Sequence, residues 1–524
     1  MSLSEKVATR DLILIHPNDS VCVAARTLPA GATAEYAGER LNLLEAVAQG
    51  HKVARTTIES GEAVRKWGQT IGFATCPIMP GQLVHSHNMA TGVLQSEYEK
   101  STHIPEDPSP LTGYTFQGYR RPDGRAGTRN YIAILSNVNC SASVARFAAA
   151  RFTPERLRDF PNVAGVLPFV HSSGCGMDFG GEQHKILNRV LGGISRHPNI
   201  GGYVLVGLGC EVGALGHLIQ EQRLVQIDGL DATRGNAPSR PIAVSMQDLG
   251  GTTKTIDEIE RLVDAMLPQV NAARRETIPA SEIVLGLNCG GSDGNSGITA
   301  NAALGVASDR LVACGGTTIL GETTEIYGAE QLLTRRARTP AVADKLIDRI
   351  RWWERHTALF GCTPDNNPSP GNKVGGLTTI YEKSLGAIAK AGTTALNDVV
   401  RYAEQVRTRG FVVMDTPGMD PVSVTGIVAG GANVMAFTTG RGSCFGFKPT
   451  PVLKIASNTP MYERMQDDMD VDAGSILSHG RSVDEVGEEI FARILAIASG
   501  EQPKSEQLGL GMDEFQPWMI GPVL

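Results

Sequence analysis

Cys140, Cys175 and Cys210 follow one another at intervals of 35 residues, and each closes or shortly follows an apolar β-type run: YIAILSNVNC, VAGVLPFVHSSGC and YVLVGLGC. A strand, its covering helix and the return to a parallel strand take about 30 residues or more. The interval therefore reads as one βα unit. Parallel strands joined by such crossovers carry their C-terminal ends on one edge of the sheet, which is where open α/β folds place their chemistry. A fourth stretch, residues 282–305 (EIVLGLNCGGSDGNSGITANAALG), repeats the pattern. Its apolar run stops at Asn288-Cys289 and breaks into a Gly/Ser/Asp/Asn turn ahead of a small-residue helix start. We expect four chain crossings to meet at one metal-dependent site.

The rest of the 524 residues divides around these units. Residues 10–90 alternate short β-like runs with Gly/Pro turns, and we read 1–100 as a small all-β module. The stretch STHIPEDPSPLTG (101–113) has the composition of a linker. Alternating strand and helix patterns then run through an α/β domain, 114–278, whose DEIERLVDAML segment puts Ile259, Leu262, Val263 and Met266 on one helical stripe. A second α/β domain, 279–524, completes the active site. The expected fold is multidomain α/β: a small N-terminal all-β module, then two α/β domains with largely parallel, doubly covered sheets.

Composition narrows the partners. Lys plus Arg number 48 against 55 Asp plus Glu, for a net charge of −7. That balance argues against a nucleic-acid or anionic-membrane partner. No apolar run is long enough to span a bilayer, and the N-terminus lacks a secretory signal, so a cytoplasmic address is expected. In that compartment nine cysteines read as thiols or metal ligands, not as a disulfide framework.

Without a C-x-x-C pair, a zinc ribbon is disfavoured, and well-separated thiolates suit iron, either as a mononuclear site with added oxygen or nitrogen ligands or as an iron–sulfur cluster. Cys140, Cys175, Cys210 and Cys289 are the candidate metal ligands, against the alternative of small buried hydrophobes. His171, four residues before Cys175, and Glu211, directly after Cys210, bring imidazole and carboxylate to the same edge. Ser292 and Asp293 lie in the turn after Cys289, whose backbone N–H groups suit an anion. Asn372 and Lys373 follow a Pro-Ser-Pro turn. Arg441 follows another strand in a glycine-rich loop, and its guanidinium fork matches a carboxylate. His85 and His87 sit two residues apart, which in a strand puts both imidazoles on one face. Glu322 and Glu325 follow a further strand as metal or acid/base carboxylates, or as acids starting a helix. No dinucleotide fingerprint, P-loop or nucleophile elbow is present.

The motifs GHK (50–52), SGCG (173–176), GLGCE (207–211), CGGSDGNSGITAN (289–301), NPSPGNKVGG (367–376), EKSLG (382–386) and TTGRG (438–442) together resemble the altronate/galactarate dehydratase family over nearly the whole chain. HSHN (85–88) and IYGAEQLL (326–333) are similar to the altronate branch, whereas Gly174-Cys175-Gly176 is similar to the galactarate pattern. Ser443-Cys444-Phe445 departs from the Thr-Pro-Tyr expected after TTGRG. The resemblance implies a β-clip (SAF-type) N-terminal module and Fe(2+)-dependent loss of water from a hexonate or hexarate to give a 2-keto-3-deoxy sugar acid. His171, Lys373 and Glu211 are the catalytic candidates. Ser292, Asp293, Asn372, Arg441, His85 and His87 are the substrate-binding candidates, and the four cysteines the metal set. A homodimer is expected. The rivals are a sulfo-lyase acting on sulfolactate, a metal-dependent aldolase-type lyase, and a non-catalytic metal- or sugar-acid-binding protein.

Overall fold

The computed structural model describes residues 11–92, 98–225 and 241–520. The first ten residues, on which part of the reading of the N-terminus rests, lie outside them. Residues 11–90 form short antiparallel strands, sorted into four-, three- and two-stranded sheets. This is the expected all-β module. His85 and His87 are not on a strand: they occupy the turn between Leu83–Val84 and Met89–Ala90, because Asn88 Oδ1 accepts from the His85 N–H at 2.9 Å and closes the chain there. The shared-face argument for the two imidazoles therefore fails. Residues 101–113 are irregular, but they are pinned to the last domain by Ser101 N–H to Thr334 O, His103 N–H to Arg335 O and Leu111 N–H to Ala313 O.

The middle region opens and closes on one antiparallel pair, Thr115–Arg120 against Arg275–Pro279. Between them lie β1 (Tyr131–Ser136), β2 (Gly165–Phe169), β3 (Ile200–Gly207) and β4 (Ile242–Ser245), an all-parallel sheet in the order β2-β1-β3-β4. Helices α1 (Ala142–Ala150) and α2 (Glu182–Ser195) cross over from β1 to β2 and from β2 to β3, and α3 (Thr252–Ala272) follows β4 and returns the chain to the antiparallel pair. Alternation along β1 sends Ile132 and Ile134 into the core under α1 and α3, where Ile259, Val263 and Met266 are buried. Tyr131, Ala133 and Leu135 point the other way, toward α2.

The last domain carries β5 (Val284–Cys289), β6 (Thr317–Leu320), β7 (Leu396–Val400), β8 (Gly410–Met414), β9 (Val434–Thr439), β10 (Val452–Ala456) and β11 (Val471–Asp472). They pair in parallel in the order β7-β8-β6-β5-β9-β10-β11. Its helices include α4 (Ala300–Ala313), α5 (Pro340–Leu359), α6 (Ile380–Ile388), α7 (Asp420–Ala429) and α8 (Val483–Ala498).

One core runs from Leu135 and Leu205 through α2 and α7 to Ile319, Met435 and Phe437. Both sheets thus share a helix layer. Gly193 of α2 abuts Ala429 O of α7, and Tyr402 bridges Arg189 to Val422 O, so the two helices run side by side in one direction. The C-terminal edges of both sheets consequently open toward the same end of the molecule. Among the described residues, no helix is long and apolar enough to cross a membrane.

Candidate active site

At the end of β5 the Cys289 sulfur is buried among four charged side chains. Lys390 Nζ lies 2.8 Å from it and 3.0 Å from Glu322 Oε2. Glu322 Oε2 and Glu325 Oε2 each stand 3.5 Å from the sulfur, and Glu322 also accepts the Cys289 backbone N–H. Glu325 Oε1 is held by Lys383 Nζ at 2.6 Å and by Asn367 Nδ2 at 3.1 Å. The sequence places them there simply: β6 ends at Leu320, and Glu322 takes a left-handed backbone (φ 62°) that swings both glutamates back under the β5 terminus. α6 and the short turn after it deliver Lys383 and Lys390 from the opposite side.

Burial is the largest influence on these groups. It pushes the Cys289 thiol well above its usual range, with Glu322 adding to the shift. Glu322 is raised by burial and by Glu325. At Glu325 burial also raises, but Lys383, Lys390 and Asn367 outweigh it and the carboxyl sits below its ordinary value. At the other end of the cluster stands Asp420, the half-buried first residue of α7, which burial and the two glutamates push up to about 7. Burial pulls Lys454, of neighbouring β10, down to about 7.

The glycine pair after Cys289 joins this cluster to the rim. A Cβ at Gly290 would stand 2.4 Å from Asp420 Oδ2, and one at Gly291 would stand 3.2 Å from Arg441 Cβ. Gly291, at φ 61°, accepts the Arg441 N–H on its carbonyl at 2.8 Å. Arg441 is exposed, and its guanidinium makes no ion pair among the described residues. Its stem passes the end of the short helix Pro370–Val374, where a Gly375 Cβ would meet Arg441 Cδ at 3.2 Å. Lys373, half-buried, lies in that helix.

Several expected site residues turn out to shape this rim. Asp293 is a buried knot: Oδ1 accepts from Asn295 N–H, Ser296 N–H and the Ser296 and Ser457 hydroxyls, and Oδ2 accepts from Asn458 Nδ2. Asn372 donates to Ser292 O at 2.7 Å while completing the capping box with Ser369. The N-terminal all-β module reaches the same short helix. His85 stacks on His51 at 5.6 Å and its Nε2 bonds Lys373 O at 2.9 Å, whereas His87 is exposed. Beneath them Lys52 and Lys66 both pair at 2.9 Å with Glu382, all three fully buried.

The four candidate cysteines fall into two groups. Cys140, Cys175 and Cys210 are exposed at the ends of β1, β2 and β3, and Cys289 is buried on the other sheet. His171 and Glu211 secure the first group. His171 Nε2 bonds Ser136 O at 2.9 Å, its Nδ1 accepts the Ser173 N–H, and burial lowers it to about 4. Glu211 accepts from Gly209 N–H at 2.6 Å and from Asn137 Nδ2 at 3.3 Å. Both side chains tie thiol-bearing loops to the end of β1.

Among the described residues, Cys289, Glu322 and Glu325 form the one set of three His, Cys, Asp or Glu ligand atoms all within 4.8 Å of one another. Two lysine ammoniums already stand against it, and a divalent ion would have to displace Lys390. Lys383, Lys390, Asp420 and Lys454 were not expected from the sequence. Lys383 lies inside the EKSLG motif, and Lys390 interrupts the apolar stretch LGAIAKAG. A lysine in such surroundings was the available signal.

Buried acid/base groups at the strand ends of a parallel sheet, beside an exposed arginine without an ion pair among the described residues, define an enzyme site for a small anionic substrate. Family comparisons agree across the chain: the altronate/galactarate dehydratase SAF domain matches residues 10–92, the second domain of D-galactarate dehydratase/altronate hydrolase matches 118–271, and the D-galactarate/altronate dehydratase C-terminal domain matches 280–523. Galactarate dehydratase (L-threo-forming) of Escherichia coli is 36% identical over 97% of both chains. Altronate dehydratase of Bacillus subtilis is 34% identical over 95% of this chain and 97% of that one. The beta subunit of (2R)-sulfolactate sulfo-lyase from Chromohalobacter salexigens is 30% identical over 76% of this chain and 96% of its own. The chain belongs to the altronate/galactarate dehydratase family, a family of hydro-lyases acting on sugar acids.

Proposed function

We propose that this protein removes water from altronate, galactarate or a closely related hexonate or hexarate, giving a 2-keto-3-deoxy sugar acid, with iron as cofactor. The observation that carries the reading is the Arg441–Gly291–Gly290–Asp420 arrangement, a carboxylate clamp and a group titrating near 7 on either side of one glycine pair. Arg441 grips the substrate carboxylate, with Lys373 on the same rim. Asp420 takes the C2 proton, and the electron pair of that bond forms the C2–C3 double bond as the C3–O bond breaks. Lys373 is our candidate to protonate the departing hydroxide, and the enol then ketonises. Lys383 and Lys390 supply buried positive charge facing the carboxylate that gains electron density. Iron held by the strand-end thiolates would add Lewis-acid polarisation of the substrate's oxygens.

The full-length coverage of the dehydratases favours dehydration over sulfite elimination. The sulfo-lyase match spans 405 residues and leaves out a stretch about the size of the β-clip and linker. That module here presses Gly50 O against Gly294 and Gly376, next to the rim. Anaerobic incubation with Fe(II) and a panel of altronate, galactarate and sulfolactate, assayed for 2-keto-3-deoxy acid and for sulfite, tests the reading. Turnover of sulfolactate alone, or of nothing, overturns it. A cytoplasmic, homodimeric enzyme remains our expectation.

A further inference from the structure

Between the N-terminal all-β module and the last domain lies a cavity of about 520 Å³, a size that suits a small organic ligand. Tyr98, Tyr327 and Tyr381 give it aromatic walls, and Glu330, Glu354 of α5 and Asp365 give it charge. No lysine, arginine or histidine lines it among the described residues, so a sugar acid would be repelled there. Tyr327 and Glu330 come from the IYGAEQLL motif (326–333), which the proposed reaction leaves unused. Glu330 forms the buried end. It is 3% exposed, its Oε1 accepts from the Tyr98 hydroxyl at 2.8 Å, and its buried Oε2 has no hydrogen-bond partner. A buried carboxylate oxygen left unpartnered is costly, and burial raises this carboxyl above its ordinary value. Glu354 and Asp365 are exposed and form the mouth. Burial first, then Glu354, pushes the Tyr327 hydroxyl up to about 12, with Glu330 and Asp365 adding to the shift, so all three carboxylates act on one ring.

We propose that this cavity binds an aliphatic di- or polyamine, with one ammonium at Glu330 and another at Glu354 and Asp365. A bare metal ion does not fit, because the three carboxylates are absent from the sets of three ligand atoms lying within 4.8 Å of one another among the described residues. Spread carboxylates beside aromatic rings match ammonium groups joined by a methylene chain, since an ammonium is attracted both to a carboxylate and to the electron-rich face of a ring. The Tyr327 and Tyr381 rings stand 6.4 Å apart, tilted by 35°. The Tyr381 hydroxyl already donates to Gly92 O at 2.6 Å, so what this residue offers a ligand is its ring. Asp365 Oδ2 accepts from the Thr91 hydroxyl at 2.9 Å, which fixes the mouth to the N-terminal module. The occupant would adjoin the elements that hold Glu325 Oε1, because Lys383 and Asn367 follow Tyr381 and Asp365 by two residues each.

Titration calorimetry of the full chain with spermidine and with putrescine, against magnesium and potassium chloride at matched ionic strength, tests the site. We expect one spermidine per chain and no comparable heat from either metal salt. E330Q keeps the shape of the buried side chain and D365N alters the exposed mouth; each should weaken spermidine binding by about tenfold or more. Y327L should lose affinity that Y327F keeps, because the ring face is what the amine uses. D484N removes an exposed carboxylate outside the cavity and should leave the affinity unchanged. Circular dichroism checks that each variant is folded, and D365N with Y327L carries the test if E330Q is not. Absence of binding, several amines per chain, equal displacement by magnesium, or affinity untouched in folded E330Q and D365N overturns the proposal. Binding is read without turnover: its failure leaves the dehydratase reading standing, and a protein inert toward every sugar acid can still bind the amine.

Discussion

Lys390 Nζ lies 2.8 Å from the Cys289 sulfur and 3.0 Å from Glu322 Oε2, with the lysine side chain fully buried. The Glu322 carboxylate thus faces a buried ammonium counter-charge. Removing one partner of a buried pair strands the other charge, which costs about 3–5 kcal/mol. K390M should therefore lower the unfolding free energy by about that amount, read as a lower midpoint in a denaturant titration. The double variant K390M/E322Q should recover part of the loss, because it strands no charge. A K390M protein as stable as wild type would show that Lys390 and Glu322 are not paired.

The contact between the β-clip and the last domain should strengthen with pH. Glu382, fully buried, is raised by burial, but Lys52 and Lys66 outweigh this and hold it down to about 2 against an ordinary 4.5. Its stabilisation is therefore complete above about 4.5 and is lost as pH falls toward 2, a span worth about 3 kcal/mol. Lys52 is lowered by burial from 10.5 to about 8. The folded state gives up that proton before the unfolded chain does, so this group adds stability as pH rises from 8 to 10.5. Melting curves across these two windows check both signs. E382Q should flatten the acid limb and leave a less stable protein at neutral pH.

Asp420 should govern the pH dependence of turnover. With burial, Glu322 and Glu325 placing it at about 7, it is ionised only in part at neutral pH, and a base must be ionised to act. We expect kcat/KM to rise with pH to an inflection near 7 and then level. D420N should lose roughly 10²–10⁴-fold in kcat and the inflection with it. Retention of the inflection in D420N assigns it to another group.

Periodicity and chain punctuation made the architecture legible before any coordinates. Runs such as YIAIL and FVVM are apolar on both faces, and their spacing left little choice but parallel strands under helices. The same signals put Cys289, Glu322, Glu325 and Arg441 at strand ends. What they could not convey was which strand ends share a sheet. Cys140 and Cys289 have similar local sequence, yet β1 and β5 lie in different sheets either side of the α2/α7 layer. Lys390 was invisible for another reason. Its role depends on Cys289, 101 residues away, and nothing in AIAKAG states that pairing. His171 and Glu211 were legible as functional-looking residues beside cysteines, but hydrogen-bond geometry shows them bracing loops. His85 and His87 were placed on a strand because spacing alone does not reveal that Asn88 closes a turn.

Arg441 should separate binding from chemistry. Its backbone is locked to Gly291 O at 2.8 Å, yet among the described residues its exposed guanidinium makes no ion pair, so the side chain is available to a ligand and dispensable to the fold. A charged hydrogen-bonding group of this kind contributes about 1.5–3 kcal/mol to its ligand. R441A should therefore raise KM for the sugar acid by roughly 10–100-fold and leave the melting temperature unchanged. R441K restores the charge without the two-pronged fork, and it should recover only part of the loss. If R441A lowers kcat and leaves KM alone, the arginine acts on the transition state and is not the ground-state clamp for the carboxylate. If neither constant moves, the substrate carboxylate lies elsewhere, and Lys373 becomes the first residue to substitute.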